Sequence, residues 1–200
     1  SLRPVGIDCH IGSQLTEIEP FIESVAHLRN LVLTLGTQGI DLTHIDIGGG
    51  LGIRYEDEAI PSPKHLISAV RDQLGDLSME LLIEPGRSIV GNAGALLTEV
   101  MVIKAGETKH FAVVDAAMND LLRPALYSAW QNIVEVETQK GNPTTYDIVG
   151  PVCETGDFLG KDRRLTLAEG DLLAVMGSGA YSFAMSSNYN TRPRPAEILV

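Results

Sequence analysis

The amino-acid sequence predicts an α/β fold that is followed by an all-β region. Up to about residue 90, short apolar runs alternate with helical patterns, which is the order that builds βα units around a parallel sheet. From about residue 94 the apolar runs are strand-like and are separated by Gly, Asn, Asp and Pro. No long amphipathic helix is expected among them, so this half is predicted to form a small barrel or sandwich.

Three strands and two helices are expected in the first half. The strands correspond to the segments PVGIDCH, LTHIDIGGG and MELLIEPGR. Thr16 is predicted to open the first helix through a capping box with Glu19, and its apolar face comprises Ile18, Ile22, Val25, Leu28, Val32 and Leu35. Ser62 and Pro63 resemble the N-cap and first residue of the second helix. The buried stripe of that helix comprises Leu66, Ile67, Val70 and Leu74.

The second half contains five segments that have the composition of strands. They are ALLTEVMVIKAG, HFAVVDAAM, NIVEVETQ, TTYDIVGP and GDLLAVMG. Turn-forming residues bound each segment, as is typical of an all-β region.

Composition and charge narrow the classes of function. The net charge is −11 and no block of Lys or Arg stands out, which disfavours nucleic acids and anionic membranes as partners. No apolar run approaches the ~18–20 residues of a membrane span, and no signal-peptide core follows Arg3 and Pro4. We therefore expect a cytoplasmic protein. Cys9 and Cys153 could form one disulfide, but reduced thiols are favoured in that compartment.

Each predicted strand of the first half ends in an unusual cluster of small or polar residues. The first strand is followed by HIGS, which begins at His10. The second is followed by GGGLG, which begins at Gly48, and the third by EPGR, which begins at Glu84. In parallel α/β folds, ligands bind beyond the carboxyl ends of the strands. We therefore expect the three clusters to face one ligand pocket.

Each cluster admits both a ligand-binding and a purely structural interpretation. The glycine run lacks Cβ atoms, so its backbone N–H groups could approach a phosphate closely, but such runs also form tight turns. Ser13 could add a hydroxyl to the same phosphate or could cap a turn. Glu84 would be costly to bury unpaired, so it either holds a proton on a heterocyclic nitrogen or pairs with Arg87. His10 could stack on a flat ring or could be a core residue with satisfied hydrogen bonds.

The second half adds three segments whose side chains could act chemically. RPALY, from Arg123 to Tyr127, follows the acidic DAAMND, and Tyr181 follows a flexible Gly-Ser-Gly. The segment GPVCETGD places Cys153 beside Glu154 in a turn-like setting. Because a neighbouring carboxylate disfavours the thiolate, Cys153 suits a proton donor better than a nucleophile. The structural alternative for Cys153 is a small buried hydrophobe.

Six segments, taken in this order, resemble a known family. They are HIGSQ, DIGGGLG, EPGRSIVGNAG, RPALY, GPVCETGD and GSGAYSFAMSSNYNTRPRPAE. The family is the alanine-racemase-fold (fold type III) decarboxylases that depend on pyridoxal 5′-phosphate, and the resemblance runs over essentially the whole sequence. The CETGD and YNTRPRPAE segments favour members that convert meso-2,6-diaminopimelate to L-lysine over those that act on ornithine or arginine.

The resemblance implies a two-domain architecture and an oligomer. Residues 1–93 would be the last βα units of a (β/α)8 TIM barrel, and residues 94–200 a C-terminal β-barrel or sandwich domain. The enzyme would be a homodimer whose active site is shared between its subunits, and it would bind a small amino-acid substrate and no metal.

The resemblance also implies which residues bind the cofactor. They are His10, Ser13, Gly49, Gly50, Glu84, Gly86, Arg87 and Tyr181. His10 would stack on the pyridine ring, and Glu84 would pair with the ring nitrogen and keep it protonated. The serine, the glycines and the Gly86–Arg87 backbone would hold the phosphate.

A second set of residues would bind and protonate the substrate. The implied substrate-binding residues are Arg87, Arg123, Tyr127, Glu154 and Tyr181. Arg87, Arg123 and Tyr127 would hold the distal carboxylate, because Arg forms paired hydrogen bonds with carboxylates. Glu154 would meet the substrate ammonium. Cys153 would be the catalytic acid, reaching the site from a partner subunit and protonating the carbanion that remains when CO₂ departs.

The sequence departs from the family in one respect. The Schiff-base lysine of the family lies in a Y-A-x-K-A-N-like setting near the start of the barrel. None of the lysines here has that setting: Lys64, Lys104, Lys109, Lys140 and Lys161. A TIM barrel alone usually takes about 250 residues. We therefore expect the chain to be the C-terminal part of a longer carboxy-lyase, and to be inactive alone.

Three other functions remain open at this point. A related enzyme could act on another diamino acid or a polyamine precursor, although Arg87 together with Arg123 argues for a substrate with a second carboxylate. A non-catalytic regulatory homologue would fit the missing lysine. A metal hydrolase is disfavoured because its candidate ligands show no recognisable spacing; these are Cys9, His10, His27 and His44.

Overall fold

The computed structural model describes residues 2–200, which divide into two compact units. The first unit ends at Ile89, and the second runs from Val90 to Val200. A three-stranded parallel sheet with helices forms the first unit, and a six-stranded sheet dominates the second. The predicted order, an α/β fold followed by an all-β region, is confirmed.

The first unit alternates strands and helices. Its elements are β1 (Gly6–Asp8), α1 (Glu19–Thr37), β2 (His44–Asp46), α2 (Pro63–Leu74), β3 (Glu80–Leu82) and the short α3 (Arg87–Val90). The sheet has the order β1-β2-β3, and both pairings are parallel. Ile7 pairs with Ile45, which pairs with Leu81. All three strands therefore end at the same edge of the sheet.

Helix α1 begins later than the sequence predicted, and the prediction of a capping box between Thr16 and Glu19 is wrong. The N-cap is Ile18, which makes no side-chain capping bond, and Pro20 lies in the first turn. With Thr16 as N-cap, residue 20 would have to donate the first intrahelical hydrogen bond, and proline has no N–H. Instead, the amides of residues 21 and 22 donate to the carbonyl oxygen of Ile18 at 2.9 and 3.1 Å.

The apolar faces of the two long helices form the core of the first unit. Val25, Leu28 and Val32 are buried as predicted, but Phe21 occupies the buried position in the first turn where Ile22 was expected. The predicted start of α2 is confirmed: Ser62 is the N-cap, and its hydroxyl accepts a hydrogen bond from the His65 amide at 3.2 Å. Buried side chains of α2 complete the core; they are Leu66, Val70 and Leu74.

The second unit contains six strands and one short helix. These are β4 (Leu96–Ala105), β5 (His110–Val114), α4 (Arg123–Tyr127), β6 (Ile133–Glu135), β7 (Thr144–Val149), β8 (Phe158–Leu165) and β9 (Leu172–Val175). Their order in the sheet is β6-β9-β4-β5-β7-β8, and only the β5–β7 pairing is parallel among these six strands. Single-turn 3-10 helices lie at Gly91–Ala93, Phe183–Met185 and Tyr189–Thr191.

Strand β8 is present in the structure but was not predicted from the sequence. Its segment FLGKDRRL carries four successive charged residues and lacks the alternation of a half-buried strand. A bulge explains the irregular pattern: Asp162 has φ +56°, and the register with β7 shifts opposite it. The Asp147 carboxylate of β7 accepts a hydrogen bond from the Asp162 amide at 3.0 Å, which satisfies the backbone where the ladder is interrupted.

The sheet of the second unit nearly closes on itself. Its terminal strands β6 and β8 approach so closely that a Cβ atom added to Gly160 would lie 2.8 Å from Ile133 Cδ1. The enclosed core contains fully buried side chains from several strands, among them Val114, Ile148, Leu159 and Leu173. Within residues 2–200, none of the helices combines the length and the apolar character that crossing a membrane requires.

Candidate active site

The ends of the three parallel strands come together in the first unit. A Cβ atom added to Gly48 would lie 2.8 Å from His10 Nδ1. One added to Gly49 would overlap the backbone carbonyl oxygen of Glu84. The Glu84 amide also donates to the carbonyl oxygen of Gly48 at 2.9 Å. The structure thus brings the clusters that follow β1, β2 and β3 into direct contact.

The turn after β2 accepts only glycine at its centre. Gly50 has φ +101°, and a Cβ atom there would overlap the carbonyl oxygen of Gly12 as well. The Leu15 amide donates to the Gly50 carbonyl oxygen at 2.8 Å, so this turn is bound to the loop that follows β1. With no side chain at Gly49 or Gly50, the peptide group that joins them is not screened by Cβ atoms.

Arg87 lies at the start of α3 and links two loops of the first unit. Its side chain is largely buried, with 9% of its surface exposed. One guanidinium nitrogen, Nη2, donates to Ser13 Oγ at 3.0 Å, and the other, Nη1, donates to Tyr55 Oη at 2.5 Å. The guanidinium carbon also lies 5.8 Å from the centre of the Tyr55 ring. Ser13, whose hydroxyl was predicted to bind the phosphate, and Arg87, whose backbone was predicted to bind it, are therefore neighbours.

Three carboxyl groups gather at the same edge of the sheet. Oxygen atoms of Asp8, Asp46 and Glu84 lie within 4.8 Å of one another. Asp46 also accepts a hydrogen bond from the Gly48 amide at 2.8 Å, which ties it to the glycine turn. Their mutual repulsion favours a positively charged group, such as a protonated ring nitrogen, near Glu84.

In the second unit, Asp157 organises the loop that carries Cys153 and Glu154. Its side chain is 3% exposed, and its two oxygens accept hydrogen bonds from the Met118 and Val152 amides, both at 2.6 Å. The Asp157 amide in turn donates to the carbonyl oxygen of Glu154 at 3.1 Å. The predicted proton donor is therefore held in a loop with a fixed backbone.

The charge of Asp157 is itself disfavoured in this setting. Burial raises the pKa of Asp157, and the nearby Asp120 adds to the increase. The two amide hydrogen bonds and the charge of Arg192 offset only part of it.

Cys153 and Glu154 are both exposed on this loop, and Tyr189, from a different segment, contacts Glu154. The Tyr189 hydroxyl donates to Glu154 Oε1. As hydrogen-bond acceptor and as charge, Glu154 raises the pKa of Tyr189, with smaller contributions from burial and from Cys153. Both cysteines of the chain are free.

Arg123 and Tyr127 lie at the two ends of α4, beside the same loop. Arg123 is buried, with 7% exposed, whereas Tyr127 is 63% exposed. A Cβ atom added to Gly156 would lie 3.9 Å from Ala125 Cβ, so the loop packs against this helix. The predicted ligands of a distal carboxylate and the predicted proton donor therefore belong to adjoining segments.

Tyr181 has an unusual backbone conformation. Its φ angle is +60°, a left-handed value that is uncommon for an aromatic residue. The side chain is 42% exposed and lines a cavity of about 400 Å³ together with Asp120 and Gly179.

Sequence reasoning missed three residues that the structure links to the predicted ones. Tyr55 binds Arg87, Asp157 fixes the loop of Cys153, and Tyr189 binds Glu154. Asp157 and Tyr189 lie within segments that carried the family resemblance, CETGD and YNTRPRPAE, so that resemblance was the signal that could have found them. Tyr55 had no such signal.

Comparison with protein families and curated proteins gives a consistent result. Residues 11–179 match the model described as "Pyridoxal-dependent decarboxylase, C-terminal sheet domain". The chain is 58% identical over 199 residues to a Pseudomonas aeruginosa protein named diaminopimelate decarboxylase. A protein of that name from Archaeoglobus fulgidus is 45% identical over 205 residues. These alignments cover 100% and 98% of the chain, but only 48% and 49% of the relatives. The chain thus spans about half the length of the curated relatives it matches.

Solved structures show the same fold. A crystal structure of a protein from Aquifex aeolicus superposes with a TM-score of 0.96 at 49% identity, covering 99% of the chain and 50% of that protein. The Helicobacter pylori diaminopimelate decarboxylase in complex with L-lysine gives 0.91 at 40% identity, covering 96% and 48%. A Vibrio vulnificus lysine/ornithine decarboxylase with cadaverine gives 0.86 at 25% identity, covering 94% and 52%.

Proposed function

Since the chain belongs to the pyridoxal-dependent decarboxylases, we propose that it forms part of an enzyme that converts meso-2,6-diaminopimelate to L-lysine and CO₂. Residues 1–93 would supply the last βα units of the barrel, and residues 94–200 the C-terminal β domain. The observation that carries the proposal is the convergence of His10, the glycine turn and Glu84 at one sheet edge. The names of the relatives at 45–58% identity support this substrate.

The residues of the first unit fit pyridoxal 5′-phosphate chemically. The turn at Gly49–Gly50 cannot accept side chains, so its backbone remains accessible to a phosphate. Ser13, which is hydrogen-bonded to the Arg87 side chain, would add its hydroxyl, and Arg87 would add its backbone N–H. Gly86 would contribute its backbone. Tyr181 would lie near the bound group.

Glu84 and His10 would then bind the ring of the cofactor. When bound, pyridoxal 5′-phosphate acts as an electron sink for the bond that loses CO₂. The Glu84 carboxylate would hold a proton on the ring nitrogen, and the adjacent Asp8 and Asp46 favour that positive charge. The His10 imidazole would stack on the face of the ring, from its position against Gly48.

The substrate would be held at both ends by residues of the second unit and by Arg87. Arg123 and Tyr127, at the ends of α4, would bind the distal carboxylate together with Arg87. Tyr181 would contact the substrate from its place near the cofactor. Glu154 would bind the substrate ammonium as a charge-assisted hydrogen-bond acceptor. This pairing selects an amino acid that carries a second carboxylate.

Cys153 would protonate the carbon atom from which CO₂ has departed. Its thiol is exposed on the loop and is not part of a disulfide, so it is accessible to a bound substrate. We propose that it acts in the active site of a partner subunit, so that the working enzyme is a homodimer.

We also propose that the enzyme works in the cytoplasm. Its two free cysteines, Cys9 and Cys153, support a reducing compartment, and the proposed substrate is a small polar amino acid. Neither a nucleic acid nor a membrane is required as a partner.

A chimeric enzyme tests the proposed function. The chain would replace the matching half of the Pseudomonas aeruginosa relative, to which it is 58% identical, and release of L-lysine and CO₂ from meso-2,6-diaminopimelate would be measured. We expect turnover with this substrate and much lower turnover with ornithine, which lacks the second carboxylate. A dimeric, cooperatively folded chimera that releases no lysine would overturn the proposal. Preferential turnover of ornithine would instead favour an ornithine-type decarboxylase; the Vibrio vulnificus neighbour is named a lysine/ornithine decarboxylase.

A further inference from the structure

We propose that Tyr189 is a positioning residue, which holds the Glu154 carboxylate in place beside Cys153. The inference rests on the proposed function, in which Glu154 binds the substrate ammonium. It adds a residue to which the sequence had assigned no role.

The contact between Tyr189 and Glu154 is long-range. The Tyr189 hydroxyl donates to Glu154 Oε1, although the two residues are 35 positions apart in the chain. Tyr189 is 45% exposed and Glu154 is also exposed, so neither side chain is confined by burial in the core. Without the hydroxyl, the Glu154 side chain would be free to take other rotamers.

The segment that carries Tyr189 is anchored on both sides. On the N-terminal side, the Ser187 amide donates to the carbonyl oxygen of Asn119 at 2.9 Å. On the C-terminal side, Arg192 Nε donates to Asn119 Oδ1 at 2.8 Å, and Arg192 Nη2 donates to the carbonyl oxygen of Asp115 at 2.5 Å. Tyr189 is therefore held between two attachments to the same stretch of the β unit.

Backbone strain within this segment also supports a fixed position for Tyr189. Asn190 and Thr191 have φ angles of +57° and +61°. A left-handed conformation is disfavoured for a β-branched residue such as Thr191, and it persists only where the surroundings require it. The anchors at Ser187 and Arg192 supply that requirement, and the resulting turn directs Tyr189 toward Glu154.

The loop that carries Glu154 is anchored to the same stretch of chain. Asp157 binds the Met118 amide at 2.6 Å, and Met118 directly precedes Asn119, which anchors the segment of Tyr189. Donor and acceptor of the Tyr189–Glu154 bond are thus fixed to one common support. This arrangement sets the position of a carboxylate that its own short loop leaves exposed.

The contact with Glu154 keeps the Tyr189 hydroxyl protonated. The hydrogen bond to Glu154 and the charge of that carboxylate raise the pKa of Tyr189, with smaller contributions from burial and from Cys153. The phenol therefore stays a hydrogen-bond donor at neutral pH and holds the carboxylate in one geometry.

A titration of Tyr189 in the chain tests the contact without cofactor or turnover. Tyrosine ionisation is followed by ultraviolet absorbance in the wild type and in Y189F, and the difference isolates Tyr189. We expect it to ionise above the ordinary value of about 10, and to return toward that value in E154Q. Ionisation of Tyr189 at the ordinary value in the wild type, or no change in E154Q, would overturn the contact.

Kinetics of the chimeric enzyme test the positioning role. We expect Y189F to raise KM about tenfold, in line with the loss of one hydrogen bond to a charged group, and to change kcat much less. In an E154A background, Y189F should add little, because both substitutions remove the same interaction. Y146F, which removes a tyrosine hydroxyl from β7 of the same unit, serves as the matched control and should leave KM unchanged.

The outcomes separate this inference from the proposed function. If the wild-type chimera turns over meso-2,6-diaminopimelate but Y189F leaves KM unchanged, the positioning role is wrong and the function stands. The role is equally wrong if the effects of Y189F and E154A are additive. If Y189F lowers only the melting temperature, Tyr189 is a structural residue. A wild-type chimera without turnover refutes the proposed function, whereas the tyrosine titration still reports on the contact.

Discussion

Replacing Asp157 by asparagine is expected to loosen the loop that carries Cys153 and Glu154. The two Asp157 oxygens accept hydrogen bonds from the Met118 and Val152 amides at 2.6 Å each. In D157N, one oxygen becomes an amino group, which is a donor, so one of these amides faces a donor in place of an acceptor. Because Asp157 is only 3% exposed, water cannot readily take over as its partner.

The expected loss follows from the cost of removing one such hydrogen bond. A hydrogen bond to a charged group contributes about 1.5–3 kcal/mol, so we expect D157N to lower the free energy of unfolding by about 2 kcal/mol. With a urea m-value of about 2 kcal/mol per M, the midpoint should fall by about 1 M. Trp130, the one tryptophan of the chain, reports unfolding of the second unit by its fluorescence. E107Q, at an exposed position between β4 and β5 of the same unit, is the matched control, and its expected effect is below about 0.5 kcal/mol.

The pH dependence supplies an independent test of the same carboxylate. Burial raises the pKa of Asp157 in the folded protein, so the folded state binds this proton more tightly than the unfolded state does. The corresponding stability is fully present below the unfolded value of about 3.9 and is lost as pH rises through the raised folded value. D157N lacks this titration, so the wild type should exceed it by more near pH 4 than at pH 7. Equal urea midpoints for D157N and E107Q, or a stability difference between the wild type and D157N that grows with pH, would refute the reasoning.

Three further predictions follow from individual contacts. Gly49→Ala forces a methyl group against a backbone oxygen and should lower the free energy of unfolding by about 1–3 kcal/mol in urea titrations; an unchanged midpoint would contradict the close approach of this turn to Glu84. Burial acts to raise the pKa of Asp147, but hydrogen bonds from Lys109 and from the β8 backbone outweigh it and lower the pKa. The stability gained from Asp147 is therefore lost as pH falls below about 4, and the melting temperatures of the wild type and D147N should converge on acidification; a constant difference would argue against it. Cys153→Ala should lower kcat of the chimera by about 100-fold or more if the thiol is the general acid, whereas Cys9→Ala, the control, should change kcat little.

Much of the fold could be predicted from local sequence patterns. The three strands of the first unit, the clusters that follow them at His10 and Glu84, and the N-cap at Ser62 were all predicted from residues close together in the chain. The errors arose where a local rule met a competing constraint. Thr16 and Glu19 have the spacing of a capping box, but Pro20 in the first turn shifts the start of α1 to Glu19. The charged segment of β8 does not alternate, because a bulge at Asp162 breaks its period.

The candidate site was likewise predictable only in part. The chemical types of its residues were readable from the sequence, because a glycine run, a carboxylate after a strand and a thiol beside a carboxylate each indicate particular chemistry. Their partners were not. Tyr55 meets Arg87 across 32 positions, and Tyr189 meets Glu154 across 35. No periodicity links such distant residues, so only a resemblance to a whole family could suggest that their segments belong to one site.

The sequence by itself determined the order of the elements, the parallel arrangement of the first three strands and the side chains that follow each strand, because hydrophobic periodicity and turn chemistry are local properties. Only the tertiary structure decided that Arg87 binds Ser13, that Asp157 fixes the loop of Cys153, and that Tyr189 meets Glu154. These contacts depend on how loops far apart in the chain are anchored. That anchoring is set by buried hydrogen bonds and backbone angles, which no local pattern encodes.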